Sequence, residues 1–385
     1  MTRDELIEEF RNRFQQEPSA IFFCPGRVNL IGEHIDYNGG QVLPCAISQG
    51  TWLAVARNAD KRLSFHSLRF PETATLHLQS SYSRTGSQWF NYPLGIIHEL
   101  LQQDHNLSGL DLLFDGDLPV GAGLSSSASI EVVTAFALSS IYGLDINRKD
   151  IALLSKKVEN EFIGVSCGIM DQFAVTMGKK QQAILLDCDT LDFEYIPFDI
   201  PDYSLVIINS KKERTLADSK YNERFAESAI ALSELKKVLP LENLCGLDPA
   251  SFEIHQHLIS DPVIRKRALH VVSENARVND TVIALQTKDW EVFGKLLYAS
   301  HRSLKELYEV SCTELDTIVD FCKDYPGCAG ARMTGAGFGG CAIALVKKIS
   351  FDDFASKLNK QYKKTVGYEP GIFVTTIGEG VTKFS

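Results

Sequence analysis

The chain has 385 residues, 44% of them hydrophobic and 23% charged, and its formal net charge is −10. This composition excludes a disordered chain, a collagen and a disulfide-stabilised miniprotein, and the length predicts two or three domains. The acidic balance also disfavours nucleic acid and anionic membranes as partners.

The N-terminal segment, MTRDELIEEFRNRF, is predicted to form a charged amphipathic helix rather than a signal peptide, because it has no apolar centre. No apolar run approaches the ~18 residues that a membrane span needs. The nine cysteines include no CxxC pair, which favours reduced thiols in a cytosol over a disulfide framework. We therefore expect a cytoplasmic protein that binds neither nucleic acid nor membrane.

Hydrophobic periodicity predicts strands and helices in the first part of the chain. The predicted strands lie at 20–24, where Pro25 and Gly26 are expected to end the strand, and at 41–47, 52–58 and 109–115. The predicted helices lie at 89–101, from the small-residue loop 120–127 to about 142, at 148–163 and from about 170. These elements predict an N-terminal α+β domain over residues 1–180.

The remainder, residues 181–385, is predicted to form a second α+β domain. Its predicted elements are strands at 182–187, 193–198 and 203–210, helices over 216–309, a glycine-rich loop at 335–340, a strand at 341–346, a helix at 351–364 and a strand at 371–376. This last strand is a candidate to return to the first domain.

A dense group of polar side chains follows the first strand. The segment 25–40, PGRVNLIGEHIDYNGG, carries Arg27, Glu33, His34 and Asp36 between turn residues. Carboxylates beside an imidazole can exchange hydrogen bonds with several hydroxyls at once, which the recognition of a sugar requires. The segment is therefore a candidate binding loop, and a solvated loop with a surface ion pair is the alternative. A metal site is disfavoured because a second nitrogen ligand is missing nearby.

The segment 119–129, PVGAGLSSSAS, combines glycines with three serines at the start of a helix. Amides at a helix N-terminus carry partial positive charge and unpaired donors, and serine hydroxyls can add donors or ligate Mg²⁺. These features predict a phosphate-binding loop, although the lysine of a Walker A motif is missing. The alternative is a small-residue turn followed by a helix cap.

The segment 164–173, GVSCGIMDQF, places Asp171 among apolar neighbours. A carboxylate in such surroundings either caps a helix or is held as a general base, with its protonation set by neighbours such as an arginine. Glu159, on the preceding helix, is a candidate metal ligand, and simple exposure to solvent is the alternative.

The segment 330–341, GARMTGAGFGGC, matches GxGxxG at Gly335, Gly337 and Gly340. The context does not fit a dinucleotide-binding fold, because the loop leads into an apolar strand rather than a helix. A second backbone loop that faces the first is the better interpretation, and a tight connection between two packed strands is the alternative.

The four segments together resemble galactokinases. GRVNLIGEHIDY resembles their N-terminal signature, and PVGAGLSSSAS resembles the phosphate loop of the family named after galactokinase, homoserine kinase, mevalonate kinase and phosphomevalonate kinase (GHMP kinases). CGIMDQF and GARMTGAGFGGC also match galactokinases, as do the stretches at 88–92 and 212–225. The order and spacing agree, and the resemblance spans nearly the whole chain.

This resemblance implies an α+β fold with a ribosomal-S5-like N-terminal domain, a ferredoxin-like C-terminal domain and an active site between them. It implies that galactose and ATP bind, and that the γ-phosphoryl of ATP moves to the anomeric hydroxyl of galactose with Mg²⁺ as cofactor.

The resemblance also implies roles for single residues. Asp171 would be the catalytic base, and Arg27 would stabilise both its charged form and the transferred phosphoryl group. The implied sugar-binding positions are Glu33, His34, Ile35, Asp36, Gly168 and Tyr221, the last of which has half-buried packing as its alternative. The implied ATP-binding positions are Ser67, Trp89, Gly121, Ala122, Gly123, Leu124, Ser125, Ser126 and Ser127, and the implied Mg²⁺ ligands are Ser127 and Glu159.

The identity of the sugar stays open at Ile35, because many galactokinases have threonine there and the related N-acetylgalactosamine kinases often have HIDY. Galactose is the first expectation and N-acetylgalactosamine the alternative. A non-catalytic galactose and ATP sensor is disfavoured by Arg27, Asp171 and the complete serine loop. The hypothesis of a nicotinamide-dependent oxidoreductase depends only on the glycine motif, which does not occur in the structural context of a dinucleotide-binding fold.

Overall fold

The computed structural model describes residues 2–119, 121–212 and 217–384. Val120 of the predicted phosphate loop, and residues 213–216 of the matching stretch at 212–225, lie outside the described residues. The strands are β1 (Ala20–Asn29), β2 (Gln41–Val42), β3 (Pro44–Asn58), β4 (Arg62–Ser67), β5 (Ala74–His77), β6 (Gly109–Gly116), β7 (Gln182–Asp187), β8 (Phe193–Pro197), β9 (Tyr203–Asn209), β10 (Cys328–Thr334), β11 (Cys341–Lys347), β12 (Gly371–Thr375) and β13 (Thr382–Phe384).

The helices include those predicted from periodicity, together with the helix Thr313–Asp324, which was not predicted. They are α1 (Arg3–Phe14), α2 (Asn91–Gln102), α3 (Ser126–Tyr142), α4 (Arg148–Lys157), α5 (Met170–Met177), α6 (Ala217–Leu235), α7 (Pro249–His255), α8 (Pro262–Gln286), α9 (Trp290–Ser303), α10 (Thr313–Asp324) and α11 (Phe351–Val366). Helix α4 continues into a π-helical turn, Val158–Ile163, and such turns often occur at functional sites.

A six-stranded sheet has the strand order β13-β1-β3-β6-β4-β5. Strands β4 and β6 run parallel, with α2 in the connection between them. Helices α2 and α3 bury their apolar residues together with those of this sheet, and this burial stabilises the layer. The predicted phosphate loop therefore connects β6 to the buried helix α3.

Two strand predictions are wrong in detail. Pro25 and Gly26 do not end β1, which continues to Asn29 through a bulge between Pro25 and Arg27. The strands predicted at 41–47 and 52–58 are instead the short β2 and one continuous β3, because the middle of β3 also pairs with β1. A bulge bends a strand and can redirect a side chain, and here it lies directly before Arg27.

The second large sheet is antiparallel and has the order β10-β11-β9-β12. Along the chain these strands and the helices between them follow a βαββαβ pattern, which with this order is the ferredoxin-like arrangement. The chain therefore has the predicted α+β class, with the expected ferredoxin-like arrangement in its second half.

The prediction that the strand near 371–376 returns to the first sheet is wrong. This strand is β12, which pairs with β9, because its apolar residues match the register of that edge. The short strand β13 returns instead and pairs with β1 through Ile21, Phe22 and Phe23. The division of the chain near residue 180 stays a prediction.

A third sheet, β2-β7-β8, lies between the two larger ones. The largest apolar core is continuous across the halves of the chain, since Val28 and Leu43 belong to the same cluster as Ile207 and Phe293. This shared core fixes the segment that follows β1 against the second half of the chain. Within the described ranges, no helix combines the length and apolar character needed to cross a bilayer.

Candidate active site

The four segments singled out in the sequence meet at one cavity of about 350 Å³. Carboxylates, hydroxyls and glycine backbone dominate its wall, which suits a small polar ligand. The lining residues are Arg27, Glu33, His34, Asp36, Gly121, Gly123, Ser125, Ser126, Ser127, Glu159, Val165, Ser166, Cys167, Gly168, Met170, Asp171, Tyr221, Gly335 and Ala336.

Asp171, in the first turn of α5, is held by two partners at this cavity. The Arg27 guanidinium donates through Nε to Oδ1 of Asp171 at 2.8 Å, and its Nη2 lies 2.6 Å from the same oxygen. The Ser125 hydroxyl donates to Oδ2 at 2.6 Å. Arg27 is buried, whereas 30% of the Asp171 side chain is exposed. Asp171 is therefore a fixed carboxylate that faces the cavity with an acceptor site to spare.

The predicted phosphate loop presents uncapped backbone amides. Ser125 has a left-handed backbone with φ of 61° and makes no side-chain cap for α3, because its hydroxyl binds Asp171. The first amides of α3 therefore remain available to an anion, as expected for a phosphate site and not for the capped turn. Arg27 Nη1 also donates to the Gly123 carbonyl at 2.8 Å, which links this loop to the carboxylate.

The glycine segment 330–341 forms the connection between β10 and β11, and it also faces the first glycine loop. A Cβ on Gly335 would lie 2.9 Å from the Gly123 carbonyl oxygen. The φ angle of Gly335 is +84°, which glycine alone adopts easily. Both interpretations of this segment are thus correct, since a tight turn brings the second loop against the first.

Glu33 is buried and its carboxylate is anchored by the second half of the chain. Its Oε1 accepts the backbone N–H of Gly335 at 2.7 Å and the Thr334 hydroxyl at 3.2 Å. The Arg332 guanidinium lies 3.1 Å from the same oxygen. One carboxylate oxygen is therefore used by protein partners, and the residue still lines the cavity.

His34 has both ring nitrogens occupied by protein partners. Nε2 donates to the Ala336 carbonyl at 3.1 Å, so Nδ1 accepts from the Tyr37 hydroxyl at 2.9 Å. The Tyr37 oxygen in turn lies 2.9 Å from the Tyr308 hydroxyl. Burial, reinforced by repulsion from His270, lowers the pKa of His34 to about 3. His34 is neutral and shapes the cavity wall, with its hydrogen bonds directed into the protein.

Asp36 and Gly168 meet at the cavity wall. A Cβ on Gly168 would lie 1.9 Å from the Asp36 carboxylate, so only glycine leaves room for this side chain. Tyr221, on α6, completes this part of the wall, and its ring lies 5.6 Å from the ring of His34.

The structure contradicts the assignment of Ile35 to the sugar site. Its side chain is fully buried in the core and packs beside Gly40, away from the cavity lining. Between His34 and Asp36 the backbone turns so that the apolar side chain points inward. Ile35, the residue that left the identity of the sugar undecided in the sequence, is therefore a packing residue.

A second, larger cavity of about 780 Å³ adjoins the first and shares Gly121, Ser126 and Ser127 with it. Ser67 and Trp89 line it, as expected for positions near a nucleotide base. The Trp89 indole donates to the Glu72 carbonyl at 2.9 Å and its ring stacks on Phe70. Two other positions expected to bind ATP, Ala122 and Leu124, bury their side chains in the apolar core. Only their backbone atoms are therefore available to a ligand of the loop.

Glu159 lies on the π-helical turn, and it is buried rather than exposed to solvent. Its Oε2 accepts from the Gln172 amide at 2.6 Å, and Ser127 lines the same cavity as this carboxylate. Burial and the charge of Asp171 raise the pKa of Glu159 to about 7. Within the described residues no three His, Cys, Asp or Glu side chains converge as a complete metal cage. Ser127 and Glu159 both line the cavity with oxygen atoms, and their role as metal ligands stays a prediction.

The sequence contains a signal for a further residue that the motifs did not include. Glu131 is the only charged residue in α3, and its side chain is fully buried. Burial, together with the charges of Glu159 and Asp171, raises the pKa of Glu131 well above its usual value. A lone carboxylate on an otherwise apolar helix predicts a function, because an unpaired buried acid is costly.

Comparison with known proteins agrees with this geometry. Residues 8–57 match the model of the galactokinase galactose-binding signature, and residues 91–179 and 281–364 match the N-terminal and C-terminal GHMP kinase domains. The chain is 45% identical to the galactokinase of Clostridium tetani over 99% of this chain and 97% of that protein. It is 47% identical to the galactokinase of Enterococcus faecalis over 98% of each.

The chain belongs to the galactokinase family. A crystal structure of Lactococcus lactis galactokinase complexed with galactose superposes with a TM-score of 0.96, at 41% identity and 99% coverage of both chains. The mevalonate kinase of Methanococcus jannaschii shares the fold, with a TM-score of 0.69 at 24% identity over 93% of this chain and 98% of that one. Membership of the galactokinase family does not favour the N-acetylgalactosamine kinase, the sensor or the oxidoreductase.

For this member of the galactokinase family, Asp36 gives a pH-dependent prediction. Burial and the charges of Asp171 and Glu33 raise the pKa of Asp36 from 3.8 to about 7. The folded protein therefore binds a proton that the unfolded chain releases, so this group lowers the stability as pH rises from about 4 to about 7. We expect Asp36→Asn to raise Tm at pH 8, with a difference from the native protein that disappears towards pH 4.

Thermal unfolding at both pH values measures this effect, with the exposed Asp189→Asn as control. An unchanged or lower Tm for Asp36→Asn at pH 8 would show that Asp36 is stabilised as a carboxylate. The same substitution removes a carboxylate acceptor from the cavity wall, so any gain in stability should be accompanied by weaker sugar binding.

Proposed function

We propose that this galactokinase-family enzyme transfers the γ-phosphoryl of ATP to the anomeric hydroxyl of galactose, with Asp171 as base and Arg27 as the charge stabiliser. The supporting observation is the Arg27–Asp171–Ser125 arrangement at the cavity where the two glycine loops meet. The products are galactose 1-phosphate and ADP. A cytoplasmic location belongs to the same proposal.

Asp171 is suited to remove a proton during transfer. The sugar hydroxyl is a weak acid, so the base contributes most as the new bond to phosphorus forms and the proton is released. Both hydrogen bonds to its oxygens come from neighbours that are themselves fixed, which holds the carboxylate in one orientation. Such positioning accounts for much of the catalysis of phosphoryl transfer.

Arg27 and the start of α3 are suited to bind the transferred group. The guanidinium lies between Asp171 and the Gly123 carbonyl, so its positive charge faces the point where a hydroxyl and a phosphate would meet. The two cavities share Gly121, Ser126 and Ser127, which supports sugar in the smaller cavity and nucleotide in the larger one. Donors fixed before the reaction need no reorganisation during it.

The residues present fit Mg²⁺. Mg²⁺ takes oxygen ligands, usually one or two from protein side chains with the rest from phosphates and water, and Ser127 with Glu159 supplies such a pair. The bound ion would neutralise phosphate charge. The buried carboxylate oxygens of Glu131, which have no partner in the described part of the chain, also favour a positive charge in this region.

Several side chains are suited to recognise the sugar. Glu33 and Asp36 provide acceptors for its hydroxyls, and Gly168 provides the backbone beside Asp36. Tyr221 provides a hydroxyl and a ring face. His34 contributes through its position, because its nitrogens hydrogen-bond to Ala336 and Tyr37.

ADP release from the purified protein with ATP and Mg²⁺ tests the function. We expect rapid release with galactose, and much slower release with N-acetylgalactosamine or glucose, because a site built to pair specific hydroxyls rejects analogues that leave those groups unpaired. Preference for the N-acetylated sugar would overturn the proposed substrate but keep the mechanism. Binding of galactose without any ADP release would overturn the enzymatic function.

A further inference from the structure

Glu131 is the single charged residue of helix α3. Its side chain is fully buried, and among the described residues neither Oε1 nor Oε2 receives a hydrogen bond. Buried polar groups are almost always paired, and an unpaired carboxylate is the most costly exception. In its charged form this carboxylate therefore needs donors or a positive charge that the described residues do not supply.

The helix directs Glu131 towards the proposed cation site. It follows Ser127 by four residues on α3, so both side chains lie on one face of the helix. Helical side chains lean towards the preceding turn, which here is the turn that carries Ser127. Helix α3 packs against α4, which continues into the turn that carries Glu159, and against α5, which carries Asp171.

A second unpartnered acceptor lies beside Glu159. The Gln172 side chain is fully buried, and its amide nitrogen donates to Oε2 of Glu159 at 2.6 Å. Because the nitrogen is committed to the carboxylate, the amide oxygen is free, and among the described residues it has no partner. The unpartnered atoms of Glu131 and Gln172 are all acceptors, so they suit the hydrogens of bound water.

We propose that Glu131, together with the Gln172 amide oxygen, accepts hydrogen bonds from the water shell of the divalent cation held by Ser127 and Glu159. Glu131 is thus a positioning residue that binds the hydrated cation without touching the sugar or the phosphoryl group. The inference rests on the proposed function, since it assumes that Ser127 and Glu159 ligate the cation. Hydrated Mg²⁺ gives up its waters reluctantly, so acceptors for those waters strengthen binding.

The test measures how strongly Mn²⁺ tightens ADP binding, as the ratio of the ADP dissociation constants without and with Mn²⁺. Mn²⁺ binds free ADP equally in every assay, so a difference in this ratio between variants arises from the protein. We expect Glu131→Gln to reduce this ratio by about tenfold or more, the usual effect of removing an outer partner of a metal site. Galactose binding, measured without metal, should be unchanged.

Three further variants make the outcome decisive. Glu161→Gln removes an exposed carboxylate from the same π-helical turn as Glu159 and should keep the native ratio. Glu131→Asp retains the carboxylate, so its ratio should lie between those of the Glu131→Gln and native proteins. It also serves as the test variant if Glu131→Gln does not fold. In the Glu159→Gln protein, Mn²⁺ should tighten ADP binding far less than in the native protein.

A native ratio in Glu131→Gln with a reduced one in Glu159→Gln would overturn the inference and leave the proposed cation ligands intact. Native ratios in both would overturn the cation site as well. The Tm at neutral pH without metal gives an independent readout. The Glu131→Gln protein should be at least as stable as the native one, because burial of Glu131 either leaves a charge unpaired or requires a proton that the unfolded chain releases. A clear loss of stability without metal would indicate a structural role and overturn the inference.

Discussion

Replacing Asp171 with asparagine should lower kcat by about 10³-fold and leave galactose binding nearly intact. Asparagine has almost the same shape, and its amide oxygen can still accept from Arg27 while Ser125 turns its hydroxyl to accept from the amide nitrogen. The amide cannot take a proton from the sugar, so only the chemical step should suffer. Initial rates of ADP release give kcat, and calorimetry gives the galactose Kd.

Asp352→Asn provides the control, since this exposed carboxylate at the start of α11 is far along the chain from the site. Turnover close to native in the Asp171→Asn protein would remove Asp171 from the base role. A large loss of galactose binding would instead make Asp171 a sugar-binding residue.

Arg27→Met should lower kcat by about 10³-fold or more, since a cation that stabilises the transferred phosphoryl group is worth about 10³ to 10⁵ in related reactions. The substitution keeps most of the buried side-chain volume but removes the charge beside Asp171 and the hydrogen bond to the Gly123 carbonyl. Asp171 is partly exposed, so the cost in stability should be modest, on the order of 1 kcal/mol. The same rate assay and a thermal unfolding curve measure both effects.

Arg27→Lys separates charge from geometry. Lysine keeps one positive charge, but it lacks the planar guanidinium that hydrogen-bonds to both the Asp171 carboxylate and the Gly123 carbonyl. We expect its kcat to fall between those of the native and Arg27→Met proteins. Equal rates for the lysine and methionine variants would show that the fork geometry matters rather than the charge, and native rates for both would contradict the role of Arg27.

Much of the site could be predicted because its polar residues occur in short segments whose composition differs from that of the core. The run from Gly121 to Ser127 has small residues that suit a backbone loop, and α3 follows it directly, so local chemistry alone predicts an anion site. Asp171 and Arg27 were also found this way. Their contact was implied only by the resemblance to galactokinases, because no local pattern links residues that are 144 positions apart and are joined by packing of α5 against β1.

Other features depended on packing over longer distances. Glu33 is anchored by Gly335, which is 302 positions further along the chain, so no local pattern could show that one of its oxygens is already used. The orientation of Ile35 is set by the core beneath it, whereas the resemblance to galactokinases had implied a sugar-binding position. Glu159 is on a strongly charged helix, yet the π-helical turn places it in a buried position.

The sequence by itself determined the α+β class, nearly all helices, the four chemical segments and the family, because periodicity, turn residues and motif chemistry are local properties. The tertiary structure decided which strand returns to the first sheet, which serine hydrogen-bonds to Asp171, and which buried acid has no partner in the ranges that the structure describes. The physical reason is that hydrogen-bond partners and desolvation depend on contacts between distant segments, and these are settled only when the shared core packs.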